Sequence, residues 1–324
     1  MLLPPIYALR AWSQAMLMRQ KRTFLMTVAM VFRLLSMLLL AVTLAGSELM
    51  GGAALGTAIW VVGMAVEALF CVLFALRLAG QVSTQVVGSE HSGAATEMDC
   101  VQFLWPLVLQ GLLLTLTLPV INAGLTRTDQ PERNLAIFQV AWSLAFLFIA
   151  FIHMNLCQAV LVLLEDRDWW FSLKRVGMWL AALDSAALLV LVLTGWGDWL
   201  LLNIIGVEAS LLPTVRGVLL LMSAAPLIGG LVELRMGIAL RFRKTLLIGV
   251  GKGLDLVVMM LAILALAMIF PGLGAHAGPM AFTLGLFVNY LFLRRTVPDP
   301  FPGDAEGPED PTGKAEHDTV QNPG

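Results

Sequence analysis

The sequence predicts an all-α membrane protein with eight transmembrane helices, on three observations. Hydrophobic residues make up 59 % of the 324 residues and charged residues 13 %, and the mean hydropathy is +0.85. A soluble domain is roughly half apolar and a quarter charged, so most of this surface must face lipid or protein. Eight apolar stretches reach the length of about 20 residues that crosses a bilayer. Two parts of the chain also match each other at a fixed offset, as the repeats of membrane carriers do.

The eight stretches follow one another through short loops. Gly51-Gly52, Gly124 and Pro271-Gly272 mark several of these loops, because glycine and proline interrupt helices. The predicted spans are residues 24–46, 53–79, 101–123, 134–164, 176–196, 210–240, 245–270 and 277–294. Residues 296–324 differ from all of them, since their six prolines and mostly acidic charges predict a disordered tail.

The charges of the loops predict the orientation, because Lys and Arg collect on the cytoplasmic side of a membrane protein. If residue 19 is cytoplasmic, that side has twelve basic residues and the opposite side only Arg127 and Arg133. The twelve are Arg19, Lys21, Arg22, Arg77, Arg167, Lys174, Arg175, Arg241, Arg243, Lys244, Arg294 and Arg295. We therefore expect a multi-pass protein of a bacterial inner membrane or other plasma membrane, with a cytoplasmic C-terminus.

An internal repeat relates the two ends of the hydrophobic chain. A shift of 222 residues, without gaps, aligns Arg19 with Arg241 and Thr23 with Thr245. From residue 4 to residue 70, 19 of 67 aligned pairs are identical, where a chain of this composition would show about six by chance. The matched helices lie six spans apart and run the same way through the bilayer. This predicts a parallel repeat with a pseudo-twofold axis along the membrane normal.

The repeat predicts the domain organisation. Residues 1–80 correspond to the end of an N-terminal lobe, a half helix plus two spans, and residues 81–100 to a cytoplasmic linker. Residues 101–295 form one complete six-helix lobe, and residues 296–324 the acidic, proline-rich cytoplasmic tail. We expect that three and a half helices of the first lobe are missing before Met1.

Six short motifs follow one another along the hydrophobic chain: Ala11-Trp12-Ser13-Gln14-Ala15, Phe103-Leu104-Trp105-Pro106-Leu107, Pro119-Val120-Ile121-Asn122, Ile204-Ile205-Gly206-Val207, Arg243-Lys244-Thr245 and Leu273-Gly274-Ala275-His276-Ala277. In this order the chain resembles the progressive ankylosis protein family, a branch of the superfamily that also holds MATE drug exporters and lipid-linked flippases. The resemblance implies a twelve-helix carrier that exports pyrophosphate-related or small organic anions. The chain has no counterpart of the first three helices of that family.

Charges inside the predicted spans are the candidates for a substrate site, because a charge in the membrane usually faces an interior. Arg33, Glu67, Lys252 and Asp255 are the primary candidates. The repeat puts Arg33 opposite Asp255 and Glu67 opposite Asn289, which fits a cleft lined from both lobes. The alternative for Lys252 and Asp255 is a local ion pair, since they lie three residues apart on one helix.

Four further residues are secondary candidates: Arg216, Glu233, Arg235 and Asn289. Arg216 lies near the outer interface, where the alternative is that its side chain reaches the headgroups. Glu233 and Arg235 precede the basic cytoplasmic loop and are either interface charges or a gate.

Other classes of function lack their motifs. The glycine-rich run 249–253 has neither the glycine five residues before its Gly-Lys pair nor the Ser or Thr after it that a phosphate loop needs. Cys71, Cys100 and Cys157 are far apart, without metal-ligand spacing. We expect no enzyme activity, catalytic residue, cofactor or metal, and no nucleic-acid partner at a net charge of −2.

The predicted function is transport of small organic anions or pyrophosphate-related solutes out of the cell. Two alternatives remain, a flippase of a lipid-linked substrate and a non-transporting membrane fragment or scaffold. The expected partners are the lipid bilayer, a small anionic solute and a second copy that would complete the cleft.

Overall fold

The fold is taken from a computed structural model of the chain and is described for residues 3–20, 22–44, 52–82 and 97–301. Every regular element among these residues is a helix. The chain divides into two compact units, Met1–Cys100 and Val101–Gly324. The predicted linker falls mostly on residues 83–96, which lie outside the described residues.

The first unit contains three long helices, α1 (Leu3–Arg19), α2 (Thr23–Leu44) and α3 (Gly52–Val82). Pro4 and Pro5 lie in the first turn of α1, where the missing N–H groups of proline leave no helical hydrogen bond unmade. Helices α1 and α2 both pack on α3. Leu17, Ala29 and Cys71 are fully buried where the three helices meet.

The second unit contains α-helices of different lengths, a π-helical turn and a 3₁₀ segment, joined by short connections. In the described residues these are α4 (Glu97–Leu125), α5 (Pro131–Leu163), α6 (Arg167–Leu193), α7 (Gly195–Trp199), a π-helical turn (Leu200–Ile205), α8 (Leu212–Met222), α9 (Ala225–Arg241), α10 (Thr245–Ile269), a 3₁₀ segment (Pro271–His276) and α11 (Ala277–Thr296). Helix α9 packs on α5, α6 and α11, and α10 packs along α11. Two apolar cores result, one that includes Phe138 and Met222 and one that includes Trp170 and Ile238.

Eight segments of the described chain are long and apolar enough to cross a membrane, which confirms the predicted fold class. They are Thr23–Leu44, Ala54–Arg77, Glu97–Leu125, Pro131–Leu163, Arg167–Leu193, Leu212–Arg241, Thr245–Ile269 and Pro271–Thr296. The outward faces are apolar as well: Leu38, Leu39 and Val42 on α2 are each more than 60 % exposed. Such a surface is stable against lipid tails and not against water.

Two spans show the largest differences from their predicted form. The fifth begins at Arg167 rather than residue 176, because Trp169 and Trp170 extend the helix beyond its apolar core. The sixth is interrupted between α8 and α9. Pro226 has no N–H to donate to the carbonyl of Met222, so the helical ladder stops there. Beside this break, the Ser185 hydroxyl donates a hydrogen bond to the carbonyl of Ser223.

The start of the predicted tail packs against the second unit. Val297 is 1 % exposed and belongs to the apolar core around Trp170, and Phe301 packs against that core. Two apolar side chains among the prolines therefore hold residues 297–301 on the bundle. Residues 302–324, on which the prediction of disorder mainly rests, lie outside the described residues.

Candidate functional site

Three helices of the first unit converge on one carboxylate, that of Glu67 on α3, which is 0 % exposed. Arg33 on α2 donates a hydrogen bond from Nη1 to Oε2 over 2.8 Å. Arg10 on α1 brings its Nε to 3.1 Å from Oε1, an ion-pair distance without hydrogen-bond geometry. Gln14, one turn after Arg10, donates from Nε2 to the same Oε1 over 3.0 Å. Two of the predicted cleft residues, Arg33 and Glu67, therefore lie together in a buried cluster. We call it the α1–α3 cluster and define it by four residues: Arg10, Gln14, Arg33 and Glu67.

Soft and aromatic groups surround the two guanidinium groups of the α1–α3 cluster. The sulfur of Met64, one turn before Glu67, lies 3.6 Å from Arg10 Nη1 and 3.7 Å from Arg33 Nη1. Arg33 also lies 5.8 Å from the ring centre of Trp60, and Arg10 lies 5.9 Å from that of Tyr7. Aromatic faces attract cations, so these rings help to hold the guanidinium groups away from water.

The α1–α3 cluster carries more positive than negative charge. Glu67 is the only acidic residue in the sequence of α1, α2 and α3, so two guanidinium groups share one carboxylate. The side chains of Arg10 and Arg33 keep 14 % and 22 % of their surface accessible. Their Nε atoms are buried and make no hydrogen bond within the described structure. The arrangement can therefore bind a further negative group.

The second unit holds a smaller polar cluster between α10 and α11. Lys252 Nζ lies 2.5 Å from Asp255 Oδ2 on the same helix, and their side chains are 7 % and 1 % exposed. This matches the alternative interpretation of these residues as a local ion pair. Asn289 on α11 is also buried, and its Oδ1 has no hydrogen-bond partner among the described residues.

Two glycines bring α10 and α11 close together around this pair. A Cβ added at Gly251 would lie 2.6 Å from Asn289 Oδ1. A Cβ added at Gly285 would lie 2.9 Å from the backbone oxygen of Asp255 and would also meet its carboxylate. Only glycine fits at such a distance from a neighbouring backbone. The buried Asp255 therefore depends on Gly285 for its position.

The two units share this glycine contact at corresponding positions. In the first unit, a Cβ at Gly63 would meet the side chains of Met37 and Arg33. The same shift of 222 residues aligns Gly63, Met37 and Arg33 with Gly285, Met259 and Asp255. A Cβ added at Gly285 would likewise meet Met259 and Asp255. The bounds of α1, shifted by 222, are those of α9, and Thr23 and Thr245 both begin a helix. The units differ in the charge at this position, which is Arg33 in one and Asp255 in the other.

Two of the secondary candidates form ion pairs of their own. Arg216 on α8 pairs with Asp198 on α7 over 3.2 Å and donates from Nε to the carbonyl of Val192 over 3.1 Å. Arg235 on α9 lies 2.7 Å from a carboxylate oxygen of Asp299, in the segment that follows α11. Glu233, two residues earlier, is buried. Asn289 on α11 faces Gly251, on the helix that carries the primary candidates Lys252 and Asp255.

Sequence reasoning missed Arg10 and Gln14. Both precede the first predicted span, in the segment that the repeat matches to half a helix. Their spacing of four residues was the available signal, because it places both side chains on one face of a helix. Their convergence on Glu67 required the packing of α1 against α3.

Among the residues that the structure describes, no three His, Cys, Asp or Glu side chains group as metal ligands. The absence of a catalytic residue and of a cofactor stays a prediction. No protein-family model, curated protein or solved structure matches the chain.

Proposed function

We propose that this membrane protein carries small anionic solutes and recognises them at the α1–α3 cluster. The observation that supports the proposal is the meeting of Arg10 and Arg33 at the fully buried carboxylate of Glu67, where Arg33 and Glu67 lie on membrane-spanning helices. Ionisable residues inside a membrane are costly, and those that persist usually serve a substrate or ion. A net charge of one positive unit in this environment favours an anion as the missing partner.

The geometry suits a phosphate or carboxylate group. Guanidinium groups bind such groups through their N–H donors, and the Glu67 carboxylate already accepts a hydrogen bond from Arg33 and lies at ion-pair distance from Arg10. An arriving anion would bind the accessible part of either guanidinium group or compete with Glu67 for Arg33. Because the bound Glu67 can take the arginines back, binding would be reversible, as a carrier requires.

The internal repeat is a second support. Helix bounds and the glycine contacts at Gly63 and Gly285 agree under the same shift of 222 residues. Parallel repeats about an axis along the membrane normal are common among carriers. The resemblance to the progressive ankylosis protein family, and the cytoplasmic side assigned to the C-terminus, belong to this proposal.

The test is efflux of labelled anions from liposomes that contain the purified full chain. Phosphate, pyrophosphate and a small dicarboxylate are loaded separately, and efflux is compared between the wild type and variants. Arg33→Gln and Arg10→Gln should lower efflux roughly tenfold, the effect of losing one contact to a charged group. Arg33→Lys, which keeps the charge and loses the planar fork, should also lower it. Arg77→Gln changes an exposed arginine on α3 and should leave efflux unchanged.

Two results would contradict the proposal. One is a folded wild-type chain that releases none of the three anions. The other is efflux that stays the same in Arg33→Gln, Arg33→Lys and Arg10→Gln, which would place recognition elsewhere. Movement of a lipid-linked probe without movement of free anions would instead support the flippase alternative.

A further inference from the structure

A cavity of about 400 Å³ opens at one end of the second unit, between α6, α9 and α11. Three basic residues line it, Lys174 on α6, Arg235 on α9 and Arg294 on α11. Trp170 and Tyr290 contribute aromatic surface. This end carries the basic loops and is therefore the one predicted to face the cytoplasm. None of these residues belongs to the α1–α3 cluster.

One carboxylate already occupies the basic cavity. Asp299 Oδ1 lies 2.7 Å from Arg235 Nη1, and Asp299 Oδ2 lies 3.7 Å from Lys174 Nζ. Among the described residues that line the cavity, Asp299 is the only acid against three bases. The lining thus keeps a surplus of about two positive charges at neutral pH.

The segment that carries Asp299 is fixed in place beside the cavity. Arg235 donates from Nη1 to the carbonyl of Val297 over 3.1 Å, and the Val297 side chain is buried. Pro298 and Pro300 flank Asp299 and restrict the backbone on both sides. A stiff segment loses little conformational entropy when its carboxylate binds, so the contact needs few other interactions.

We propose that this cavity binds a phosphate group, carried by an anionic phospholipid headgroup or by free phosphate, and that Asp299 is its built-in competitor. Arginine and lysine that hold a carboxylate can hold a phosphate more strongly, because phosphate offers more charge and more acceptor oxygens. Basic pockets between membrane helices at the cytoplasmic end are suited to anionic headgroups. Lys174 Nζ lies 5.9 Å from the centre of the Trp170 ring, and both residues line the cavity.

The test uses the purified full chain and two ligands in parallel. Retention of phosphatidylglycerol, against zwitterionic phosphatidylcholine, is counted by native mass spectrometry. Binding of inorganic phosphate is followed by the melting temperature. Lys174→Gln should weaken binding roughly tenfold, and Asp299→Asn should strengthen it by a similar factor, since one removes a contact and the other the competitor. Lys174 is 37 % exposed, so its substitution leaves the packing intact.

Charge-matched controls separate a site from general attraction of anions. Asp166→Asn and Arg241→Gln change exposed residues at the same end of the unit and should leave both readouts unchanged. Lipid retention without a response to inorganic phosphate would identify a headgroup site, and the reverse would identify a site for free phosphate. The proposal is overturned if Lys174→Gln and Asp299→Asn change neither readout, or if the two controls reproduce their effects.

Discussion

The guanidinium group of Arg33 on α2 and the carboxylate of Glu67 on α3 form a hydrogen-bonded ion pair of 2.8 Å inside the membrane-spanning part of the first unit. Arg33 lies ten residues into α2, a depth of about 15 Å. A charge at such a depth is stable only with a partner or a polar surrounding. The pair therefore joins α2 to α3 as well as providing the proposed anion site.

Removal of the carboxylate should destabilise the first unit. Glu67→Gln keeps the size of the side chain and leaves Arg10 and Arg33 without an opposite charge. We expect a loss of about 3 kcal/mol in the free energy of unfolding, measured by SDS titration in mixed micelles. Adding Arg33→Gln should recover part of the loss, because one uncompensated charge is then removed. Glu97→Gln, at an exposed position, should cost less than about 1 kcal/mol.

A stability of Glu67→Gln equal to that of the wild type would show that the carboxylate does not hold the two arginines. In that case the double variant would also show no recovery.

Three glycine substitutions should rank in a set order. Gly285→Ala should cost about 1–3 kcal/mol, because the new methyl group meets the backbone oxygen of Asp255. Gly63→Ala should cost less, since the flexible end of Met37 can move aside. Gly111→Ala is the control: nothing lies within 4 Å of its Cβ, so it should be neutral or slightly stabilising. The same SDS titration measures all three, and a Gly111→Ala variant as unstable as Gly285→Ala would refute the ranking.

The ion pair between Arg216 and Asp198 should be weak. Their side chains are 36 % and 31 % exposed, and solvent screens a pair of this kind. A double-mutant cycle of Arg216→Gln and Asp198→Asn should give a coupling free energy below about 1 kcal/mol. A coupling as large as that between Arg33 and Glu67 would mean that the pair is shielded from water.

Cysteine labelling should establish the orientation. Cys71 and Cys157 are buried and Cys100 is exposed, so Cys100→Ser provides a background of low reactivity. In that background, Asp129→Cys should react with an impermeant maleimide in intact cells. Asp166→Cys, in the loop before α6, should react only after permeabilisation. This loop lies on the side of the membrane that carries the basic loops, which is predicted to be cytoplasmic. The reverse pattern would place the C-terminus outside.

Several features of the fold could be read from neighbouring residues alone. A run of about 20 apolar residues predicts a membrane helix wherever it occurs, so the eight spans followed from composition along the chain. Their ends were harder to predict, as the early start at Arg167 shows. Interfacial tryptophans and charges continue a helix without adding to its apolar run.

Only partial prediction was possible for the candidate site. Arg33, Glu67, Lys252 and Asp255 stood out because charge is rare inside a span, and the local pairing of Lys252 with Asp255 followed from their spacing. The partners of Arg33 and Glu67 in the α1–α3 cluster did not follow from the spacing of residues along the chain. A cleft that brings these four residues together stays a prediction.

The sequence by itself determined that this is a helical membrane protein, because the length and polarity of each apolar run decide whether a helix can lie in lipid. The tertiary structure alone decided which charges meet. Arg10 reaches Glu67 because α1 packs on α3, and Asp299 reaches Arg235 because Val297 is buried beside it. Such pairs depend on the rotation of each helix about its axis. That rotation is set by close contacts between residues far apart in the chain, such as Gly285 against Asp255.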